Sequence, residues 1–178
     1  MIAKNGIIKG IEFCPSPNFD NRPKNEEIDL IVIHAISLPP KNYDTQLIRD
    51  FFSNKLNPQR DHFLESIAGL KVSSHFLITR YGELLQFVSM EKRAWHAGVS
   101  EFKERKNCND FSIGVELEGC DEELFEISQY ECLIELLKFL IIEYKISPNN
   151  IVGHSEIAPG RKTDPGPNFD WNLVKSAL

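Results

Sequence analysis

Two stretches of the chain show the apolar patterns of buried β-strands. Residues 28–34 read IDLIVIH, a β-branched run that predicts a strand ending at His34. Residues 111–119 read FSIGVELEG, in which apolar and polar side chains alternate, so the predicted strand has two unlike faces. One face comprises Ile113, Val115 and Leu117, and the other comprises Gly114, Glu116 and Glu118.

Helical periodicity marks two further segments. Residues 45–56 place their apolar side chains on one side, and Asp44 or Thr45 can cap this helix. The longer predicted helix covers residues 128–145, in which Ser128 and Glu131 have the spacing of a capping box. Its predicted buried stripe is Tyr130, Leu133, Ile134, Leu137, Leu140, Ile141 and Tyr144.

The remaining segments complete a mixed sheet. Residues 74–89 predict a β-hairpin, and residues 150–153 predict a short strand that delivers His154. Strands interleaved with helices, including a hairpin, predict the α/β class, with helices flanking a central mixed sheet in one domain over residues 1–178. Residues 1–27 are predicted to be an irregular lead-in packed on this domain.

Composition and charge limit the classes of partner that this protein is expected to bind. The 178 residues are 42% hydrophobic and 26% charged, as in a soluble globular domain. A net charge of −6 argues against nucleic acid, because proteins that bind it usually present a basic face. Residues 1–20 lack the apolar core of a signal peptide, and no stretch approaches the ~18 apolar residues of a membrane span. We therefore expect a cytoplasmic protein that binds neither nucleic acid nor a membrane.

Histidine and carboxylate positions suggest a metal site. The four cysteines form no Cys-x-x-Cys pair, so any metal ligands must come from His, Asp and Glu. His34 and His154 directly follow predicted buried strands, and Asp164 lies ten residues after His154 across a loop rich in proline and glycine. Two imidazoles and one carboxylate, with the fourth position open to water, make a catalytic zinc site. The alternative is that each histidine is a hydrogen-bonded structural residue.

The polar face of the second strand offers an acid/base group. A carboxylate there could take a proton from an attacking water and pass it to a leaving nitrogen. The pattern favours neither Glu116 nor Glu118, and Gly114 is predicted to leave room for a substrate or a metal-bound water. Lys162 could place a cation near an oxyanion, although a surface lysine is the simpler interpretation. His75, within the predicted hairpin, is interpreted as structural.

Five segments carry a family resemblance. They read VIHAISLPP, VSSHFLI, KRAWHAGVS, CNDFSIGVELEG and GHSEIAPGRKTDPGPNFDW, and they resemble the zinc N-acetylmuramoyl-L-alanine amidases, which are related to peptidoglycan recognition proteins. The resemblance spans nearly the whole chain. It implies hydrolysis of the amide between 1,6-anhydro-N-acetylmuramic acid and L-alanine of cytosolic muropeptides, in peptidoglycan recycling, with no obligate protein partner.

The resemblance also implies a role for each matching residue. Its Zn²⁺ ligands fall on His34, His154 and Asp164. Its catalytic acid/base falls on Glu116 rather than Glu118, and its transition-state stabiliser falls on Lys162. Ala35 departs from the family, which usually carries an asparagine there that helps hold the substrate peptide. We therefore expect altered affinity or peptide selectivity, with the chemistry at the metal spared.

Trp95, His96 and Arg161 are candidate substrate contacts. An indole face packs well against a sugar ring, and a neutral imidazole can hydrogen-bond its hydroxyls. Arg161 belongs to a set of basic residues that would suit the carboxylates of a muropeptide. Core packing of Trp95 and surface solvation of Arg161 are the alternatives.

Two other functions remain open at this point. One is an amidase acting on intact peptidoglycan, and the other is a non-catalytic peptidoglycan-binding module. The presence of all three predicted ligands favours an enzyme over the binding module.

Overall fold

The two strands predicted from their apolar patterns lie side by side in the computed structural model, which describes residues 1–178. They pair in parallel, with Glu116 opposite His34. The strands are Ala3–Lys4 (β1), Ile7–Ile8 (β2), Glu12–Phe13 (β3), Phe19–Asn21 (β4), Leu30–Ile36 (β5), Phe76–Ile78 (β6), Leu84–Gln86 (β7), Lys92–Ala94 (β8), Glu101–Phe102 (β9), Arg105–Lys106 (β10), Ser112–Glu118 (β11) and Ile151–Gly153 (β12). The α-helices are Thr45–Phe52 (α1), His62–Ile67 (α2), Ile127–Tyr144 (α3), His154–Ile157 (α4) and Trp171–Ser176 (α5).

The central sheet is mixed and has six strands in the order β12, β5, β11, β6, β7 and β3. The first four run parallel, whereas β6 and β7 form the antiparallel hairpin predicted from residues 74–89. Three two-stranded ribbons pair β1 with β2, β4 with β8, and β9 with β10. The predicted α/β class, with helices around a central mixed sheet, is confirmed. None of the helices combines the length and the apolar character needed to cross a bilayer.

The N-terminal segment is more regular than predicted. Within residues 1–27, β3 extends the edge of the central sheet beside β7, and β4 pairs with β8. These strands have only two or three residues, too few to show a period along the chain. Their pairing partners lie far away in the sequence, so local patterns carry no signal of them.

The two faces of the paired strands β5 and β11 differ in kind. One, here called the apolar face, packs against α3 and comprises Ile31, Ile33, Ile113, Val115 and Leu117. The other, here called the polar face, presents His34, Ser112, Gly114, Glu116 and Glu118 toward the opposite side of the sheet, next to the buried Leu30 and Val32 at the start of β5. The alternation predicted for β11 is thereby confirmed. Burial of each large apolar side chain stabilises the fold by roughly 1.5–3 kcal/mol.

Both long helices begin or end at residues other than those predicted. For α3, the N-cap is Glu126, whose backbone N–H donates to Gln129 Oε1 at 3.0 Å, so the predicted box of Ser128 and Glu131 is wrong. The Ser128 hydroxyl donates instead to the Arg80 carbonyl. Of the predicted stripe, Tyr130, Leu133, Leu137 and Leu140 are buried, Leu136 joins them, and Ile134, Ile141 and Tyr144 are half-buried.

The first helix, α1, follows the N-cap Asp44, whose carboxylate accepts a hydrogen bond from the Gln46 N–H. It ends at Phe52, before the predicted end at residue 56. Leu56 is nevertheless buried with the helix in the same apolar cluster, which explains why its periodicity continued the helical pattern.

Candidate metal centre

Three predicted ligands meet at the carboxyl ends of two neighbouring strands. His34 lies near the end of β5, and His154 follows β12, which pairs with β5. The loop that carries Asp164 folds back toward His154, and the Asp164 backbone carbonyl accepts a hydrogen bond from the Ser155 N–H at 3.0 Å. The His34 Nδ1 and His154 Nδ1 atoms are 2.9 Å apart, and Asp164 Oδ2 lies 3.2 Å from the first and 3.0 Å from the second. These three side chains form a candidate metal site.

The outer nitrogens of the two imidazoles have partners of different kinds. His154 Nε2 lies 3.1 Å from the Ala97 carbonyl oxygen, which can only accept, so this nitrogen carries the proton. A neutral His154 therefore presents the lone pair of Nδ1 to the centre. His34 Nε2 lies 2.9 Å from His96 Nδ1. Burial lowers the pKa of His34 to about 4, so this ring is neutral at neutral pH.

Glu116 is a buried acid without a hydrogen-bond partner on one oxygen. Its side chain lines the same groove as the three candidate ligands, and its Oε2 atom is buried and unpaired. Burial, together with the negative charge of Asp164, raises the pKa of Glu116 well above its ordinary value, while Lys162 opposes this. A carboxyl group in this state can hold a proton near neutral pH.

Glu118 lies on the same face of the same strand, but both of its carboxylate oxygens accept hydrogen bonds. Its Oε1 accepts from the Thr45 hydroxyl at 2.8 Å, and its Oε2 accepts from the Arg80 backbone N–H at 3.0 Å. Both oxygens are thus committed to holding neighbouring segments. The structure therefore distinguishes two carboxylates that alternation alone leaves equivalent.

A groove connects these groups to solvent. It has a cavity volume of about 510 Å³, within the range of roughly 300–1,000 Å³ that is usual for small-molecule sites. Lys162 is exposed and lines the groove together with Glu116 and Asp164. Six apolar side chains also line the groove: Phe51, Phe52, Phe63, Ile67, Leu70 and Val72.

The three predicted substrate contacts have different surroundings. Trp95 is half-buried and is not among the residues that line the groove. His96 lines the groove but is only 9% exposed, with its ring nitrogens directed at His34 and Ser112. Arg161 Nη2 donates to the carbonyls of Ala97 and Val99 at 2.6 and 2.7 Å. Substrate binding by these residues stays a prediction.

The space beside Gly114 is filled by the His96 ring, and not left open for substrate as predicted. A Cβ atom on Gly114 would lie 2.5 Å from His96 Cγ, so glycine is required for the ring to rest on the strand. Sequence patterns could not show this, because residues 96 and 114 belong to different segments. His75 is structural, as predicted: its Nδ1 accepts from the Gly114 N–H, and its Nε2 lies 3.0 Å from the Lys92 carbonyl oxygen.

A mixed sheet with two imidazoles and a carboxylate converging at the edge of a groove defines an α/β protein with the donor set of a metal-dependent hydrolase. Comparison with known proteins specifies the family. Residues 24–167 match the N-acetylmuramoyl-L-alanine amidase family. The 1,6-anhydro-N-acetylmuramyl-L-alanine amidase AmpD of Escherichia coli is 47% identical over 171 residues, which cover 96% of this chain and 93% of the relative.

Solved structures agree with this assignment. The crystal structure of a selenomethionine derivative of AmpD matches with a TM-score of 0.97 at 44% identity, covering 100% of this chain and 99% of that one. The complex of the Escherichia coli amidase AmiD with anhydro-N-acetylmuramic acid-L-Ala-D-γ-Glu-L-Lys matches with a TM-score of 0.63 at 31% identity, covering 88% and 60%. The chain belongs to the N-acetylmuramoyl-L-alanine amidase family.

Proposed function

We propose that this protein hydrolyses the amide bond between 1,6-anhydro-N-acetylmuramic acid and L-alanine in muropeptides, as a step of peptidoglycan recycling, with Zn²⁺ as its metal. The convergence of His34 Nδ1, His154 Nδ1 and Asp164 Oδ2 is the observation that carries the proposal. Family membership and the substrate named for the AmpD relative support it.

The donor atoms fit a zinc ion. In the tautomer with its proton on Nε2, His154 turns the lone pair of Nδ1 toward an Asp164 oxygen at 3.0 Å, an arrangement that a cation between the two atoms would stabilise. Zinc bonds of about 2.0–2.1 Å in a tetrahedron place neighbouring ligand atoms roughly 3.3 Å apart, close to the observed 2.9–3.2 Å. When bound, Zn²⁺ would supply Lewis acidity to the scissile carbonyl and to a water molecule.

Glu116 is proposed as the residue that moves the proton. In the ionised form of Glu116, the unpaired Oε2 can accept a proton from the attacking water as the oxygen–carbon bond forms, and the raised pKa makes this carboxylate a stronger base than an ordinary one. The same proton then passes to the alanine nitrogen as the carbon–nitrogen bond breaks. The immediate products are the lactyl carboxylic acid of the anhydro sugar and a peptide with a free amino group. The second water proton stays on the new carboxyl group and passes to the amine or to solvent when that group ionises, so atoms and charge balance.

Lys162 is proposed to stabilise the oxyanion that develops on the carbonyl oxygen. Its side chain lines the groove beside the candidate ligands and has solvent access, which suits a cation that must meet an incoming substrate. Electrostatic stabilisation of this kind acts on the transition state more than on the bound substrate. Loss of Lys162 should therefore lower kcat more than it raises KM.

The test is hydrolysis of a purified 1,6-anhydro-N-acetylmuramoyl tripeptide, followed by mass spectrometry of the free peptide. Zinc-loaded protein should release the peptide, metal-stripped protein should not, and added zinc should restore release. Glu118→Gln is the matched control for Glu116→Gln, because both change a carboxylate on the same strand face. Equal activity in the stripped and loaded proteins would contradict the proposal.

The same assay separates the other two functions. Faster release from intact sacculi than from the soluble muropeptide would indicate an amidase of polymeric peptidoglycan. Binding of muropeptide without release, in protein that contains one zinc per chain, would indicate a non-catalytic module.

A further inference from the structure

His96 lies between the candidate metal centre and the body of the sheet. Its ring rests on Gly114, and its two nitrogens face different partners: Nδ1 lies 2.9 Å from His34 Nε2, and Nε2 lies 3.2 Å from the Ser112 hydroxyl. The ring is only 9% exposed, and neither of its hydrogen-bonding neighbours, His34 and Ser112, carries a negative charge that would stabilise an imidazolium, so the ring is neutral. A neutral imidazole has one donor and one acceptor nitrogen.

Hydrogen bonds link Cys108, Ser112, His96 and His34 in that order, here called the series. The Cys108 end fixes the direction of every hydrogen bond in the series. Ser112 Oγ lies 2.5 Å from the Cys108 carbonyl oxygen, which can only accept, so the serine proton points to Cys108. The serine oxygen then accepts the proton of His96 Nε2, and His96 Nδ1 is left as an acceptor. His34 Nε2 must therefore donate to it, and His34 Nδ1 keeps its lone pair for the metal centre.

We infer that Ser112 and His96 are positioning residues that fix the tautomer and the orientation of His34, so that its Nδ1 atom faces the metal. Hydrogen bonds to the outer nitrogen of a ligand histidine generally fix its tautomer and ring orientation. The inference rests on the proposed metal site and assigns roles to two residues outside the ligand set. His96 acts through His34, and its contacts account for a buried imidazole that the proposed chemistry leaves unused.

The two ligand histidines differ in a way that makes the inference testable. His154 is held by the backbone carbonyl of Ala97, which no side-chain substitution removes. His34 is held by side chains alone, through His96 and Ser112. Substitutions in the series should therefore disturb one ligand and spare the other.

Two substitutions of similar polarity separate the two nitrogens of His96. His96→Asn places an amide oxygen near the position of Nδ1 and can still accept from His34. His96→Gln places its amide near the position of Nε2 and leaves His34 Nε2 without an acceptor. We expect zinc affinity to fall by about 10–100-fold in His96→Gln and in Ser112→Ala, the usual range for such outer partners, and to stay within about threefold in His96→Asn.

His75→Asn is the control, because His75 is also buried, and its ring nitrogens contact Arg22 and the backbone at Gly114 and Lys92 rather than a ligand. Its zinc affinity should equal that of the unmodified protein. Affinity is measured by competition with a chromophoric chelator, and the Co²⁺ spectrum reports the coordination geometry. Equal losses in His96→Asn and His96→Gln, or a comparable loss in His75→Asn, would overturn the inference.

Proton-detected ¹⁵N spectra of the histidine side chains in the metal-free protein test the series without any variant. The expected result is a proton on Nε2 and none on Nδ1 in both His34 and His96. A proton on His96 Nδ1 would overturn the inference. Because this readout needs no zinc, it stays decisive even if the protein fails to bind the metal, which would contradict the proposed function alone.

Discussion

The apolar and polar faces of β5 and β11 are made from alternate residues of the same two strands, yet different interactions hold their side chains in place. On the apolar face, five aliphatic side chains are fully buried beneath α3 and need only volume and shape. On the polar face, polar side chains are held by particular hydrogen-bond partners: Glu118 by Thr45 and Arg80, and His34 by His96. Only Glu116 leaves an atom unpaired. The difference teaches that one face stabilises the fold, while the other keeps a buried acid available for chemistry.

The largest effect should come from the unpaired acid. Glu116→Gln keeps the shape of the side chain but removes its capacity to carry a proton, so we expect kcat to fall by about 10²–10⁴-fold. Zinc content and the unfolding midpoint should stay close to those of the unmodified protein. Steady-state kinetics on the soluble muropeptide, with zinc analysis of the same samples, check this. Retention of more than a tenth of the activity would break the contrast between the faces.

Substitution of Leu117, the next residue along β11 and part of the apolar face, should lower stability and leave activity unchanged. Leu117 is fully buried, and Leu117→Ala should lower the free energy of unfolding by about 2–5 kcal/mol because a cavity forms. The activity per folded molecule should be unchanged at a temperature where the variant remains folded. Denaturant titration and kinetics on the same preparation measure the two quantities. Lost activity with unchanged stability would contradict the division of labour.

The buried histidines on and beside the polar face should make the folding stability of the metal-free protein depend on pH. Burial lowers the pKa of His34 to about 4 and of His75 to about 3, and lowers that of His96 well below its ordinary value. Between pH 5 and 6 the unfolded chain binds these protons and the folded chain does not, so stability falls as pH falls. The raised pKa of Glu116 acts in the opposite direction, by up to one proton.

His75→Asn should reduce by about one the number of protons taken up on unfolding. The slope of the unfolding free energy against pH should therefore fall by roughly 1.4 kcal/mol for each pH unit. Urea unfolding of metal-free protein at pH 5.0, 5.5 and 6.0 gives the slope. His62→Asn is the control, because the His62 side chain is exposed to solvent. A slope that His75→Asn leaves unchanged would mean that His75 takes up protons in the folded state.

The smallest effect concerns the start of α3, which covers the apolar face. Glu126→Ala removes the N-cap side chain and its ion pair with Arg80 but keeps the backbone N–H that donates to Gln129, so stability should fall by only about 0.5–1 kcal/mol. The exposed Glu131→Ala should change it by less than about 0.5 kcal/mol. Thermal unfolding of the two variants decides between the observed cap and the cap predicted from Ser128 and Glu131. A larger loss in Glu131→Ala would favour the latter.

Sequence patterns predicted those parts of the molecule that local physical chemistry determines. The β-branched run before His34, the alternation in β11 and the long apolar stripe of α3 each reveal their burial along the chain itself. His34 and His154 could also be proposed as ligands because they follow predicted strands, and Asp164 because its loop, rich in proline and glycine, can fold back toward His154. The short N-terminal strands and the ring of His96 on Gly114 could not be found, since their contacts join segments that are distant in sequence. The cap of α3 was misplaced because two polar pairs with similar spacing overlap there.

The proposed chemistry depends most on one zinc ion held by His34, His154 and Asp164. X-ray absorption at the zinc edge, on protein carrying one zinc per chain, tests this directly. Four-coordinate zinc with two imidazole nitrogens and two oxygen ligands at about 2.0–2.2 Å is expected, and Asp164→Ala should lose the ion. Zinc with fewer than two imidazoles, or a spectrum that Asp164→Ala leaves unchanged, would contradict the account.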